Sequence, residues 1–162
     1  MEPTCRKLIE LITEQKLGYQ NLKELSSQKR QALIAGDLEK LASLTEKEEA
    51  LILQLGKLEN QRQECFLELA AKGGFDETAT LQEALPFLPA VCQVQLKELQ
   101  ADFAVLIEKL SQLNEENMSL LEQSLQFVNF TAEALSEQSK PVYDAEQQIK
   151  MEQLRNLLDK KV

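Results

Sequence analysis

The sequence contains no histidine. That removes the side chain best suited to proton transfer near neutral pH, any Ser-His or Cys-His nucleophile pair, and the HExxH type of metal site. The five glycines, Gly18, Gly36, Gly56, Gly73 and Gly74, form no glycine-rich phosphate loop. Three cysteines, Cys5, Cys65 and Cys92, stand far apart without CxxC spacing, so neither a disulfide framework nor a zinc site is indicated. They are expected as reduced thiols on or near helix seams. No stretch reaches the roughly 18 to 20 consecutive apolar residues of a membrane span, and the opening "MEPTCRKLIELI" lacks the apolar run of a signal peptide. Positive charge is also scarce: 18 basic residues face 27 acidic ones, for a net charge of -9, and the basic residues are dispersed. Nucleic acid and anionic membrane are therefore disfavoured as partners. The many carboxylates are spread at solvent-facing spacings, with no isolated pair among apolar residues to raise a pKa. These absences predict a cytoplasmic protein that is not an enzyme, needs no cofactor or metal, and does not insert into membranes.

What the chain does have is helical periodicity. In the first segment Leu8, Ile12, Gln15, Tyr19, Leu22, Ser26, Lys29 and Leu33 recur at alternating steps of four and three, the spacing of a heptad seam. Half of that seam is polar or weak. A second helix follows "IAGD", where Gly36 suits a C-terminal cap and Asp37 an N-terminal one. Its seam is Leu41, Leu44, Glu48, Leu51, Leu55, Leu58, Arg62, Cys65 and Leu69. Both arms span roughly 45 to 53 Å at 1.5 Å per residue, and matched lengths favour an antiparallel hairpin. From Gly73 to Pro89 the sequence "GGFDETATLQEALPFLP" reads as a connector with one short helix, Thr80 and Glu83 having capping-box spacing and Pro86 and Pro89 acting as breakers. A third long seam then runs through Leu96, Leu99, Phe103, Leu106, Leu110, Leu113, Asn117, Leu120, Ser124, Phe127 and Thr131. Beyond Pro141, Met151, Leu154, Leu157 and Leu158 give a short amphipathic tail helix that is marginal unless docked. The expected fold is all-α, a coiled-coil-like bundle in one domain over 1–162. Its helices are placed at about 4–34, 37–72, 90–138 and 144–160, with the connector at 73–89.

The stretch "LNEENMSLLEQSLQFVNFTAEAL", from Leu113 to Leu135, holds a surplus of apolar residues. On a helical projection its apolar side chains occupy roughly 220° of arc, against the roughly 100° expected of a helix packed on one side. One seam cannot cover that arc. Either several elements of the chain enclose this end of the third helix, or part of its face receives an apolar partner from another chain.

That stretch and "ALIAGDLEKLASLTEKEEALI", from Ala32 to Ile52, resemble the two recurring blocks of the FlgN family of bacterial flagellar export chaperones. The likeness extends in order, spacing and residue type across most of the chain, including Lys47 and Arg62 on the second helix. Its most discriminating residues are Asn114, Asn117, Leu121, Ser124 and Leu125. The resemblance implies a cytoplasmic chaperone of the flagellar type III secretion system, a monomer or weak dimer. Such a chaperone binds the C-terminal helical region of hook-filament junction proteins of the FlgK/FlgL type, keeps them unassembled and delivers them to the export gate. The client surface then falls on Leu113, Asn114, Asn117, Leu120, Leu121, Ser124, Leu125, Phe127, Val128 and Phe130. By the same resemblance Tyr143 marks the segment that docks on the export gate. Family tails after that tyrosine tend to be glycine-rich, whereas this one continues "DAEQQIKMEQLRNLL", which suits a helical tail folding back over the client groove. Asn117 also fits a register-fixing role in its seam. A structural coiled-coil protein that self-associates through the same apolar face remains the alternative.

Overall fold

The computed structural model describes residues 1–136. Tyr143 and the tail helix expected at about 144–160 lie outside the described residues. Helix α1 spans Glu2–Ala35, α2 spans Leu38–Gly73, α3 is a single turn at Leu81–Ala84 running into a 3-10 turn at Leu85–Phe87, and α4 spans Ala90–Ser136. The fold is all-α, and the described residues contain no strand.

Each boundary has a local cause. Gly36 adopts φ 68°, the left-handed conformation that glycine reaches without penalty. Its N–H donates to the Leu33 carbonyl at 3.2 Å and the Asp37 N–H to the Ala32 carbonyl at 3.0 Å, which satisfies the last free acceptors of α1. Asp37 then starts α2 by accepting from the Lys40 N–H at 3.0 Å. Gly74, at φ 70°, ends α2 in the same manner, with the Phe75 N–H donating to the Ala70 carbonyl at 3.3 Å. At α3 both halves of the expected capping box form. The Glu83 N–H donates to Thr80 Oγ1 at 3.3 Å, and the Thr80 N–H donates to Glu83 Oε2 at 2.7 Å.

The described helices pack as two compact units, residues 1–22 with 50–108 and residues 23–49 with 109–136. In the first unit the seam residues Leu8, Ile12, Leu69 and Leu96 are buried with Leu85 and Leu88 of the connector. Here α1 runs antiparallel to α2, Gln15 Nε2 donating to Glu59 Oε2 at 2.9 Å. It runs parallel to α4, Lys16 meeting Asp102 at 2.5 Å and the Tyr19 ring lying edge-on to Phe103 at 5.6 Å. Gly18 leaves room for Leu55 of α2: a Cβ at that position would lie 2.5 Å from Leu55 Cδ2. The three cysteines are all free and buried in this core. Burial pushes the Cys5 thiol up to about 12, aided by a hydrogen bond with Cys92.

In the second unit a smaller apolar core of Ala32, Leu33, Leu41, Leu44 and Leu121 sits beside a buried polar layer. The polar layer is built from seam positions. Lys29 and Glu48 form an ion pair with relative exposures of 0% and 1%. Asn117 Nδ2 donates to the Ser26 carbonyl at 2.8 Å, and Ser26 Oγ donates to Asn114 Oδ1 at 3.3 Å. Asn117 Oδ1 has no hydrogen-bond partner among the described residues. An unmet buried acceptor costs about 1 to 3 kcal/mol, so this amide contributes register more than stability. Outside the layer, Arg30 reaches Glu116 at 3.0 Å on the surface.

Candidate functional site

The apolar surplus read from Leu113 to Leu135 divides into two parts in the second unit. Leu121 is fully buried in the core, with Leu120, Leu125 and Val128 packed partly buried against it. Asn114 and Asn117 are buried in the polar layer, where their amides are committed to Ser26. Leu113 and Ser124 are half-buried. Phe127 and Phe130, by contrast, are 70% and 71% exposed. Of the residues predicted to touch a partner, then, the structure brings Leu120, Ser124, Phe127 and Val128 together at an open surface, and Asn114, Asn117 and Leu121 behind it.

That surface is a groove of ≈ 500 Å³ between the α1–α2 turn and the C-terminal half of α4. One wall comes from Leu120, Gln123, Ser124, Phe127 and Val128, the other from Ala32, Leu33, Ile34, Gly36, Leu38 and Leu41. Ile34 and Leu38, 66% and 52% exposed, are apolar residues on either side of the turn that the seam pattern did not assign to a site. Their signal was present: both are large, apolar and off the seam, and both flank a tight turn.

Two polar side chains, Gln123 and Ser124, line the groove. Ser124 Oγ donates to the Leu120 carbonyl at 3.0 Å and Thr131 Oγ1 to the Phe127 carbonyl at 2.8 Å, so both hydroxyls are satisfied within α4. Apart from the Gln123 amide, the side chains lining the groove are aliphatic and aromatic, which suits an apolar helix face. From Leu110 to Ser136, α4 carries Glu115, Glu116, Glu122 and Glu133 and no basic residue, while the groove lining itself holds no charged side chain.

A second depression, ≈ 510 Å³, lies in the first unit around Gly74, Phe75, Asp76, Thr78, Ala79, Glu83 and Phe87. Its polar groups already serve one another. Asp76 Oδ1 accepts from the Thr78 hydroxyl at 2.6 Å and from its N–H at 2.7 Å, bonds that hold its carboxyl below the ordinary range. Glu83 is lowered likewise by the Thr80 N–H and hydroxyl. No group of His, Cys, Asp or Glu among the described residues is arranged to hold a metal ion. No described helix is long and apolar enough to cross a membrane.

Comparison with known proteins bears on the groove's purpose. The chain is 24% identical over 132 residues to an uncharacterized protein of Bacillus subtilis (strain 168), YvyG, covering 82% of this chain and 81% of that one. No solved structure gives a significant match. The family model described as FlgN protein matches residues 1–159, nearly the whole length. The chain belongs to the FlgN family of flagellar export chaperones.

Proposed function

We propose that this protein is a cytoplasmic chaperone that binds the C-terminal helical region of hook-filament junction proteins of the FlgK/FlgL type, prevents their premature assembly and delivers them to the type III export gate. The groove of the second unit carries the reading. Its exposed Phe127, Ile34 and Leu38 offer an amphipathic helix the i, i+3, i+4 contacts that helix-in-groove recognition uses. Fully burying a phenylalanine contributes about 1.5 to 3 kcal/mol, so Phe127 and Phe130 together could supply a large share of a micromolar interaction, worth about 8 kcal/mol. Within the predicted client set, the buried Asn114, Asn117 and Leu121 would act by holding the groove's shape, and the exposed aromatics by contact. Gate docking through Tyr143 is part of the same proposal: Tyr143→Ala should leave client binding intact and reduce client export.

The test is light scattering coupled to size-exclusion chromatography on the purified protein, alone and with the C-terminal segment of a junction protein. A one-to-one complex that disappears in Phe127→Asp/Phe130→Asp, with helical circular dichroism unchanged, is the expected result. A stable homo-oligomer that ignores the client would replace the chaperone reading with that of a self-associating coiled coil.

A further inference from the structure

We propose that Gln123 is the specificity-determining residue of the groove, and that it selects clients whose apolar helix face carries a carboxamide, an asparagine or a glutamine, opposite it. The proposal rests on the client reading above and adds to it the chemistry by which one helix is told from another.

An apolar wall alone is a blunt instrument. A methylene more or less in an apolar site discriminates far less than a hydrogen-bonding group left without its partner. Specificity in such sites therefore comes from a few polar groups set among the apolar ones. The lining of this groove holds two polar side chains, Gln123 and Ser124. Ser124 is already committed, its hydroxyl donating to the Leu120 carbonyl at 3.0 Å. The Gln123 amide makes no hydrogen bond among the described residues. Its two N–H donors and its carbonyl acceptor are available to a visitor.

The rest of the lining says which visitor. No charged side chain is present there, so a lysine or glutamate of the client would lose its water without meeting a counter-charge. A neutral polar group avoids that penalty. A hydroxyl meets the amide through one atom, whereas a carboxamide can donate to Gln123 Oε1 and accept from Gln123 Nε2 at the same time. The second unit uses side-chain amides in this way inside itself: Asn114 and Asn117 sit buried on α4 and meet the Ser26 hydroxyl and carbonyl of α1.

The consequence is asymmetric. A client with the carboxamide pairs with Gln123 as water leaves the groove. A helix with an unbroken apolar face dries the amide and leaves it unpaired, which weakens its binding about tenfold. Apolar helices of other proteins are thereby turned away, even where they offer more hydrophobic area.

The experiment is a double-mutant cycle on the full chain, read by isothermal titration calorimetry. The probe is the C-terminal segment of a junction protein, in its native form and in a series in which each asparagine and glutamine in turn becomes leucine. At one position the leucine replacement is expected to weaken binding to the parent protein about tenfold, and to leave binding to Gln123→Leu unchanged or tighter. Gln126→Leu, an exposed position of α4 outside the groove lining, should bind the whole series as the parent does. Circular dichroism checks that both variants keep the parent's helicity. Replacements that change binding to the parent and to Gln123→Leu by the same factor overturn the proposal, and so does a position coupled to Gln126 instead. A segment that binds the parent but couples to Gln123 through no carboxamide removes the selection and leaves the client reading standing. If no form of the segment binds the parent, the client reading falls and takes the selection with it.

Discussion

Replacing Lys29 by methionine should be among the most damaging single substitutions in the second unit. Lys29 and Glu48 are 0% and 1% exposed, so removing the ammonium leaves a carboxylate with no bulk water to solvate it. The penalty for breaking a buried pair in this way is about 3 to 5 kcal/mol. At about 2 to 4 °C per kcal/mol for a chain of this size, the melting temperature should fall by roughly 6 to 20 °C. Glu48→Met should cost a similar amount, because it removes the carboxylate that the buried ammonium is paired with. The double substitution Lys29→Met/Glu48→Met removes both charges at nearly constant volume. It should return stability to within about 1 kcal/mol of the parent or above it, giving a large coupling energy in a double-mutant cycle. Urea unfolding followed by far-ultraviolet circular dichroism reads all four proteins. Single variants that each cost less than about 1 kcal/mol, as a surface pair would, refute the reasoning, since they would mean that water reaches the pair.

Gly18→Ala should destabilise by about 1 kcal/mol, the strain of forcing a methyl against Leu55 (about 1 to 3 kcal/mol) outweighing the gain of about 1 kcal/mol in helix propensity; introduced into Leu55→Ala, the same substitution should become neutral or stabilising in a urea titration. Glu59 is held down to about 2, first by its hydrogen bond from Arg62 and then by those from Gln15 and Gln63. Because its folded pKa lies below the ordinary 4.5, its contribution to stability is complete above that value and is lost as the pH falls from there toward 2. Glu59→Gln should flatten that part of the stability profile, and an unchanged acid limb would argue against the bond. Cys5, raised to about 12, should resist alkylation in the native protein at mildly alkaline pH and react fully once the chain is unfolded in guanidinium; rapid native labelling would show that the first unit opens.

The helical seams were legible because burial repeats at fixed spacing. Leu8, Ile12, Leu22 and Leu33 on α1, and Leu41, Leu44, Leu55 and Leu69 on α2, are buried where the heptad steps place them. The polar half of the first seam was legible only as a weakness. Gln15, Ser26 and Lys29 look like a loosely packed edge in the sequence, yet all three are buried, because each finds a polar partner on another helix: Glu59, Asn114 and Glu48. Those partners lie 19 to 88 residues away in the chain, and periodicity carries no information about which distant positions meet.

The site was half visible for the same reason. An arc of apolar residues wider than one seam announced that something must cover α4, and Phe127, Phe130 and Leu135 prove to be the exposed part of it. Leu125 and Val128, equally apolar, are packed partly buried against the core; aspartate there would test the fold as much as the site. The opposite wall could not be anticipated from the third helix, since Ile34 and Leu38 become its neighbours only once the hairpin is folded.

Only Gly36 and Asp37 separate α1 from α2, and the reversal is this short because Gly36 takes a positive φ. Its brevity keeps Ile34 and Leu38 on the same wall of the groove, as a hydrophobic lip. An insertion at that point would leave both helices intact, since their caps are local, but would part the lip and widen the mouth of the groove. Lengthening this one turn is expected to change what fits the groove without touching the core.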